Sequence, residues 1–314
     1  MDDALPRPFL PQGAPADLAA GPQQLSHDER LAIADAVLSW LRAEHGDDLV
    51  AVALFGSTAS KSDGPFSDVQ MWSVVEDRAG PRPDLEWIWG PGKLTVERMT
   101  VTQAITRAAW VDGRWPVAQA RFVRARPLWE ASRQQGFVQR LHAAAADLPE
   151  AARREAAAEC VLEMYTALGK LRTCRAGPKG DVVRIAFDFG EPLMRLVALR
   201  HRYVFGSSRR MLAEAHQLDG PPGYQPLLER LAAGPYRPPD ELVGAVDDCW
   251  AGVITWAQDE GLDLSACLTP IHQPAGVEGP PEPPADRDEL GLGPPPLPAA
   301  AAKRRRRRGM FGRR

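Results

Sequence analysis

The spacing of apolar residues changes near residue 150, and this change restricts the fold more than any other feature of the sequence. Short apolar or alternating runs typical of β-strands stand before it, at residues 49–55, 69–75, 85–89 and 94–101. Apolar residues at helical spacing follow it, over residues 155–173, 182–203, 208–217, 226–233 and 239–260. We therefore predict a sheet-containing half followed by an all-helical half.

Local signals place further elements in the first half. Ser26 followed by Glu29 is a capping-box pattern, which predicts a helix that begins there and ends at Gly46. Residues 102–109 are predicted to form a helix, and residues 121–129 are a candidate for one more strand.

Composition divides the chain into four segments. Residues 1–24 are rich in Pro, Gly and Ala and are predicted to be disordered. We predict the sheet domain at residues 25–145 and the helical domain at 146–268. Residues 269–314 form a Pro-rich linker and a polybasic tail. This tail is open to three interpretations, which are contact with anionic lipid, contact with nucleic acid, or a disordered solubilising end.

The net charge of -3 over 314 residues conceals an acidic body, because the basic residues of the tail offset it. An acidic body suits small cationic molecules better than nucleic acid. The four cysteines have no metal-ligand spacing and are expected to be reduced and mostly buried. The sequence shows neither a secretory signal nor an apolar run of transmembrane length, so the expected location is the cytoplasm.

The stretch that carries chemistry joins the first two predicted strands. Gly56 allows backbone to approach a phosphate, and the Ser57 hydroxyl can donate to a phosphate oxygen. Lys61 adds positive charge, and Asp68 at the start of the second strand can bind Mg²⁺ together with substrate phosphates. Gln70 lies two residues further and therefore on the same strand face as Asp68.

This Gly-Ser and Asp pattern resembles the nucleotidyltransferase superfamily, which includes DNA polymerase beta and the antibiotic nucleotidyltransferases. Asp63-Gly-Pro-Phe-Ser-Asp68 resembles the corresponding loop of the kanamycin nucleotidyltransferase family, the aminoglycoside 4'-nucleotidyltransferases. Further similar positions follow in the same order, among them Glu86-Trp87, Gly169-Lys170, His201-Arg202 and Trp250-Ala-Gly-Val253. The resemblance covers about residues 25–262.

The resemblance implies an α+β fold, with an N-terminal mixed β-sheet with helices and an all-helical C-terminal domain. It also implies antibiotic-resistance chemistry, in which AMP is transferred from ATP to a hydroxyl of an aminoglycoside with Mg²⁺ as cofactor. Members of the family are homodimers in which both subunits build each active site. Of the family's binding residues, Gly56 and Ser57 match the phosphate loop, Lys170 matches a phosphate contact, and Glu86 matches a glutamate near the aminoglycoside.

The family's carboxylates are only partly kept. Asp68 matches the first metal carboxylate, whereas the second falls on Gln70, which can ligate only through its carbonyl. The family's third acid falls on Thr95, and the family's base falls on Thr166.

Two nearby glutamates are candidate replacements. Glu97 projects from the same strand face as Thr95, and Glu163 lies one helical turn before Thr166. We therefore predict Asp68, Glu97 and Glu163 as catalytic residues.

Two hypotheses follow. In the first, the chain is a Mg²⁺-dependent nucleotidyltransferase that acts on a hydroxyl of a small cationic acceptor. The sequence does not decide whether the acceptor is an aminoglycoside, another sugar or a protein hydroxyl. Alternatively, the chain is a catalytically impaired nucleotide-binding pseudoenzyme of the same fold, because the nucleotide loop is better preserved than the acids.

Overall fold

The structure, a computed structural model, describes residues 22–89, 92–175, 181–233 and 239–259. Nearly all of the predicted disordered N-terminal segment lies outside these ranges. So do the turn at Gly90 and Pro91, Cys267, the Pro-rich linker and the polybasic tail.

The first helix, α1 (His27–His45), begins and ends where the sequence predicts. The Ser26 hydroxyl accepts the Glu29 amide at 3.2 Å, and the Ser26 amide donates to Glu29 Oε2 at 2.7 Å. Gly46 ends the helix with φ of 51°. The predicted capping box is confirmed, and such a cap contributes about 1 kcal/mol.

Five strands of the described ranges form one mixed sheet in the order β3-β4-β2-β1-β5. The strands are β1 (Leu49–Phe55), β2 (Val69–Val75), β3 (Leu85–Trp89), β4 (Gly92–Thr100) and β5 (Arg126–Glu130). β2 and β4 run parallel, and the other neighbouring pairs are antiparallel. The predicted mixed sheet is confirmed.

Helices cover both faces of this sheet. The first-half helices after α1 are α2 (Gly56–Ala59), α3 (Val101–Ala109), α4 (Trp115–Ala118), α5 (Ala120–Val123) and α6 (Phe137–Ala146). α1 packs against one face, where Val52 and Leu54 of β1 point. α3, α5 and α6 pack against the other face, which carries Trp72 and Met99. Because β1 lies inside the sheet and both of its faces are covered, every residue of β1 is buried.

The second half is helical, as predicted. Its helices are α7 (Glu150–Arg175), α8 (Val182–Arg200), α9 (Met211–Ala215), α10 (Tyr224–Ala233) and α11 (Pro239–Asp259). One apolar core joins them, with Met164 of α7, Phe189 of α8 and Leu228 of α10 among its fully buried side chains. The predicted α+β class is therefore confirmed.

Several predicted boundaries were wrong. The candidate strand at residues 121–129 is a strand only from Arg126, because residues 120–123 form a helical turn that inserts Phe122 into the core. The loop predicted to start at Gly56 starts with the short helix α2. The helix expected at residues 208–217 shortens to Met211–Ala215. The helices α4 and α6 were not predicted.

Two of the three described cysteines, Cys160 and Cys249, are buried as expected from the sequence, and Cys174 is partly buried. Cys160, Cys174 and Cys249 are free thiols, and burial raises the pKa of Cys160 and Cys249 to about 12. None of the described helices combines the length and the apolar character needed to cross a membrane.

Burial lowers the pKa of His45, the Glu44 carboxylate opposes this shift, and the neighbouring Arg98 guanidinium adds to it. The folded protein therefore favours the neutral ring. Arg98 Nη2 lies 2.9 Å from His45 Nε2, a contact that suits a neutral ring. The stability that depends on neutral His45 is complete above about pH 6.5 and is lost as the pH falls towards the lowered folded-state pKa.

We expect the free energy of unfolding in urea to decrease from pH 7 to pH 5, with a slope of at most about 1.4 kcal/mol per pH unit from this group. His45→Gln keeps an acceptor for Arg98 and should flatten the profile. The exposed His201 supplies the control variant His201→Gln. An unchanged slope in His45→Gln would contradict the assignment.

Candidate active site

The predicted phosphate loop follows β1 directly. The backbone turns at Gly56, whose φ of 71° favours glycine, and Ser57 lies half-buried in the short helix after it. Lys61 is exposed and has φ of 54°, a left-handed conformation that costs a non-glycine residue about 1 kcal/mol. The Ser62 amide donates to the Ser57 carbonyl at 3.0 Å, which closes the loop back on itself.

Gly56 is also required by the close approach of Gln70. A Cβ atom at position 56 would lie 2.3 Å from Gln70 Oε1, which is much closer than van der Waals contact. The amide oxygen of Gln70 therefore lies directly against the backbone of the phosphate loop.

Asp68 and Gln70 form the centre of the site. Gln70 Nε2 donates to Asp68 Oδ2 at 3.0 Å, which confirms that the two side chains share a face of the sheet. Thr95 of β4 is paired with Gln70 in the parallel register, and Glu86 of β3 is paired with Thr95. The fold thus brings Gln70, Thr95 and Glu86 from three strands into one row, with Asp68 at the entrance to β2 beside it.

Glu86 occupies the outer end of that row, on the edge strand. Its carboxylate is exposed and accepts a hydrogen bond from Lys93 Nζ at 3.2 Å. Since exposed ion pairs are weak, this pair leaves Glu86 available to a cationic ligand.

Glu97 lies beside this row, but its carboxylate has a partner. Arg121 Nη1 donates to both of its oxygens, at 2.9 and 2.8 Å. The Glu97 side chain is 15% exposed and that of Arg121 is 35% exposed. The ion pair between Glu97 and Arg121 must break before Glu97 can act as the replacement acid that the sequence suggests.

The residues present fit a single Mg²⁺ ion. Asp68 offers one carboxylate. The Gln70 amide nitrogen faces Asp68 and its carbonyl oxygen lies against Gly56, so Gln70 would ligate the ion only after its amide group turns over. The described ranges contain no cluster of three or more His, Cys, Asp or Glu side chains able to hold a metal. Mg²⁺ commonly binds through one or two carboxylates and completes its shell with substrate phosphates and water.

A buried arginine that the sequence analysis did not identify anchors the loop. Arg30 on α1 is 1% exposed, and all five of its N–H groups donate hydrogen bonds. Its acceptors lie just before α1 and in the loop that precedes β2. They are the carbonyls of Leu25, Gly64, Pro65 and Ser67 and the Asp63 carboxylate. No sequence motif marks this role, because the acceptors are mostly backbone carbonyls.

The second group of predicted residues lines a cleft between α7 and α8. The cleft has a volume of about 340 Å³. It is lined by Arg114, Glu163, Thr166, Ala167, Lys170, Asp188, Glu191, Pro192 and Arg195. Glu163, Thr166 and Lys170 are thus brought together as predicted.

Arg195 fixes the orientation of Glu163. Its side chain is buried, Nη1 donates to the Gly113 carbonyl at 2.9 Å, and Nη2 contacts Glu163 Oε2. Glu163 itself is half-exposed at the cleft. One carboxylate oxygen is held by the arginine, and the side chain remains accessible to a ligand.

Sequence comparisons identify proteins that this chain resembles. Residues 135–263 match the family described as the KNTase C-terminal domain. The aminoglycoside nucleotidyltransferase (4') of Staphylococcus aureus is 24% identical over 250 residues, which cover 78% of this chain and 97% of that protein. The enzyme of the same name from a Bacillus species has the same identity and coverage. The resemblance predicted from the motifs is confirmed.

Among solved structures, a nucleotidyltransferase-like protein from Exiguobacterium sibiricum aligns with a TM-score of 0.43 and 12% identity. The alignment covers 73% of this chain and 76% of that one.

We expect Arg30→Met to lower the free energy of unfolding by about 3–5 kcal/mol, because Asp63 and several carbonyls lose their buried partner. Urea denaturation followed by circular dichroism measures this change. The matched control is Arg78→Met, which removes an exposed ion pair with Asp48 and should cost less than about 1 kcal/mol. Equal effects of the two variants would show that Arg30 is not an anchor.

Proposed function

We propose that this chain, which resembles the aminoglycoside 4'-nucleotidyltransferases along most of its length, is itself a nucleotidyltransferase. In this proposal it transfers AMP from ATP to a hydroxyl of a small cationic acceptor of the aminoglycoside class, with Mg²⁺. The hydroxyl oxygen forms a bond to the α-phosphorus, the bond from that phosphorus to the β-phosphate oxygen breaks, and pyrophosphate leaves. The observation that carries the proposal is the meeting of Gly56 and Ser57 with Asp68 and Gln70 at one end of the sheet.

The phosphate loop binds the donor in this proposal. The backbone at Gly56 and the hydroxyl of Ser57 contact phosphate oxygens, and Lys61 contributes positive charge from the exposed side of the loop. Asp68 would hold Mg²⁺, joined by the Gln70 carbonyl once its amide group has turned over, and the bound ion would neutralise charge on the phosphates. Buried Arg30 keeps the loop in a fixed conformation before the nucleotide arrives.

The cleft between α7 and α8 supplies the base. Glu163 accepts the proton of the attacking hydroxyl, while Arg195 holds the carboxylate in a fixed orientation. Lys170, one further turn along α7 from Thr166, contacts phosphate.

The acceptor is recognised by charge. Exposed Glu86 binds an ammonium group of the acceptor, and the acidic body of the chain favours a cation over an anion.

No hydrogen bond or ion pair between described residues links the Glu163 cleft to Asp68. In keeping with the resemblance, whose members build each active site from both subunits, we propose a homodimer in which the cleft of one subunit completes the sheet site of the other, in a cytoplasmic enzyme.

The Asp68 assignment is tested with purified protein, ATP, Mg²⁺ and aminoglycosides that carry a free 4'-hydroxyl. Mass spectrometry should detect an added AMP, and Asp68→Asn should reduce its formation about a hundredfold or more because charge stabilisation is lost. Asp28→Asn, an exposed carboxylate on α1, is the matched control and should retain activity.

Absence of any adduct despite measured ATP binding would overturn the transfer reaction with these acceptors. That result would favour the nucleotide-binding pseudoenzyme. The neutral residues Gln70, Thr95 and Thr166 at the family's acid positions are consistent with that alternative.

The base assignment predicts that Glu163→Gln lowers kcat about 10²–10⁴-fold, because the amide cannot accept the proton. Glu155→Gln, on the same helix and exposed, should leave kcat unchanged. Adding Thr166→Glu to the Glu163→Gln protein should restore part of kcat, since it returns a carboxylate to the same cleft one turn away. A Glu163→Gln protein with full kcat would assign the base elsewhere.

A further inference from the structure

We propose that Arg121 takes the place of a second metal ion in this site, so that the nucleotide binds with a single divalent cation on Asp68 and with the Arg121 guanidinium. This inference rests on the proposed function. It concerns how many cations the site holds and which side chain provides the remaining positive charge.

The ion pair between Arg121 and Glu97 is fixed on both sides. Arg121 Nη1 contacts both Glu97 oxygens, and Arg121 Nε donates to the Ala118 carbonyl at 3.0 Å. The buried Trp72 indole donates to the Arg121 carbonyl at 3.0 Å, which attaches the helical turn to β2. Side chain and backbone of Arg121 are therefore both tied to the sheet.

The guanidinium lies on the metal-binding face of the sheet. Gln70 pairs with Thr95, and Trp72 pairs with Glu97, so Glu97 is one step of two residues further along the same face. Two residues along a strand correspond to about 7 Å. Asp68 lies one more such step before Gln70, so Glu97 is about 13 Å from Asp68 along the strands. Arg121 can therefore contact the phosphate that lies furthest along this face from the metal.

Glu97 is poorly suited to bind a metal while Arg121 is in place. Both of its oxygens accept from the same guanidinium nitrogen, and only 15% of its side chain is exposed. A cation at Glu97 would have to displace Arg121 or lie beside its positive charge. The carboxylate instead orients the guanidinium.

Arg121 retains a donor for a ligand. Its Nη2 group has no hydrogen-bond partner among the described residues, and the side chain is 35% exposed. A guanidinium nitrogen in this state can donate to a phosphate oxygen while Nη1 remains on Glu97.

The charges of the altered site are consistent with this role. Three carboxylates with two Mg²⁺ ions carry one net positive charge, which is the arrangement that the family's acid positions would allow. Asp68 and Glu97 with one Mg²⁺ and Arg121 carry the same net charge. The family's acids at positions 70 and 95 are absent here, and one divalent cation is absent with them. The charges still match, because the Arg121 guanidinium neutralises Glu97.

The test counts Mn²⁺ ions by electron paramagnetic resonance, with a non-hydrolysable α,β-methylene analogue of ATP and the full chain. The wild-type protein should bind one Mn²⁺ per bound nucleotide. Arg121→Met frees Glu97 and should bind a second Mn²⁺, while its nucleotide affinity at one Mn²⁺ equivalent falls about 10- to 100-fold. Arg121→Met/Glu97→Gln should return to one Mn²⁺, because the freed carboxylate is removed.

Arg107→Met, an exposed arginine on α3, is the matched control and should bind like wild type. Thermal unfolding of each variant verifies that it is folded, and Arg121→Lys supplies a second variant that keeps the charge but loses the forked geometry. Arg121→Lys should retain one Mn²⁺ with weakened nucleotide binding.

Two Mn²⁺ ions per nucleotide in the wild-type protein would overturn the inference and leave the proposed function intact. The same conclusion follows if Arg121→Met binds Mn²⁺ and nucleotide as the wild type does. A wild-type protein that binds neither Mn²⁺ nor the nucleotide would overturn both.

Discussion

The buried guanidinium of Arg30 is the interaction on which the rest of the site depends. The segment after α2 has no secondary structure to hold it between Ser62 and β2, and its carbonyls need donors. Arg30 supplies them from α1, which is itself packed on the sheet by its apolar stripe. The loop conformation is thereby coupled to the hydrophobic core, and Asp68 enters β2 at a defined position.

The predicted site residues lie in two structural layers. The sheet end carries Gly56, Asp68 and Gln70, where rigid strands and a tight turn hold groups suited to phosphate and metal. The helical cleft carries Glu163 and Lys170, positioned by the packing of α7 on α8. In both layers an arginine, Arg121 or Arg195, engages a glutamate that the sequence alone presents as free.

Much of the fold was predictable from the sequence, since strands and helices follow hydrophobic spacing. β1, β2 and β3 have their predicted bounds, and the capping box at Ser26 begins α1. Short elements were missed because a single turn such as Ala120–Val123 carries too few residues to show a period. Its helical form depends on tertiary contacts, namely the insertion of Phe122 and the Trp72 hydrogen bond.

The sequence by itself determined the α+β class and the Gly-Ser and Asp pattern between the first two strands, because these depend only on residue type and local spacing. The family resemblance, and not spacing, indicated that Gln70, Thr95 and Thr166 stand at the family's acid positions. Only the tertiary structure decided which side chains form ion pairs with Glu97 and Glu163. Arg121 reaches Glu97 across 24 residues, and Arg195 reaches Glu163 across 32. An ion pair between distant residues leaves no local pattern in the sequence, since its partners meet only after the sheet and the helices have packed.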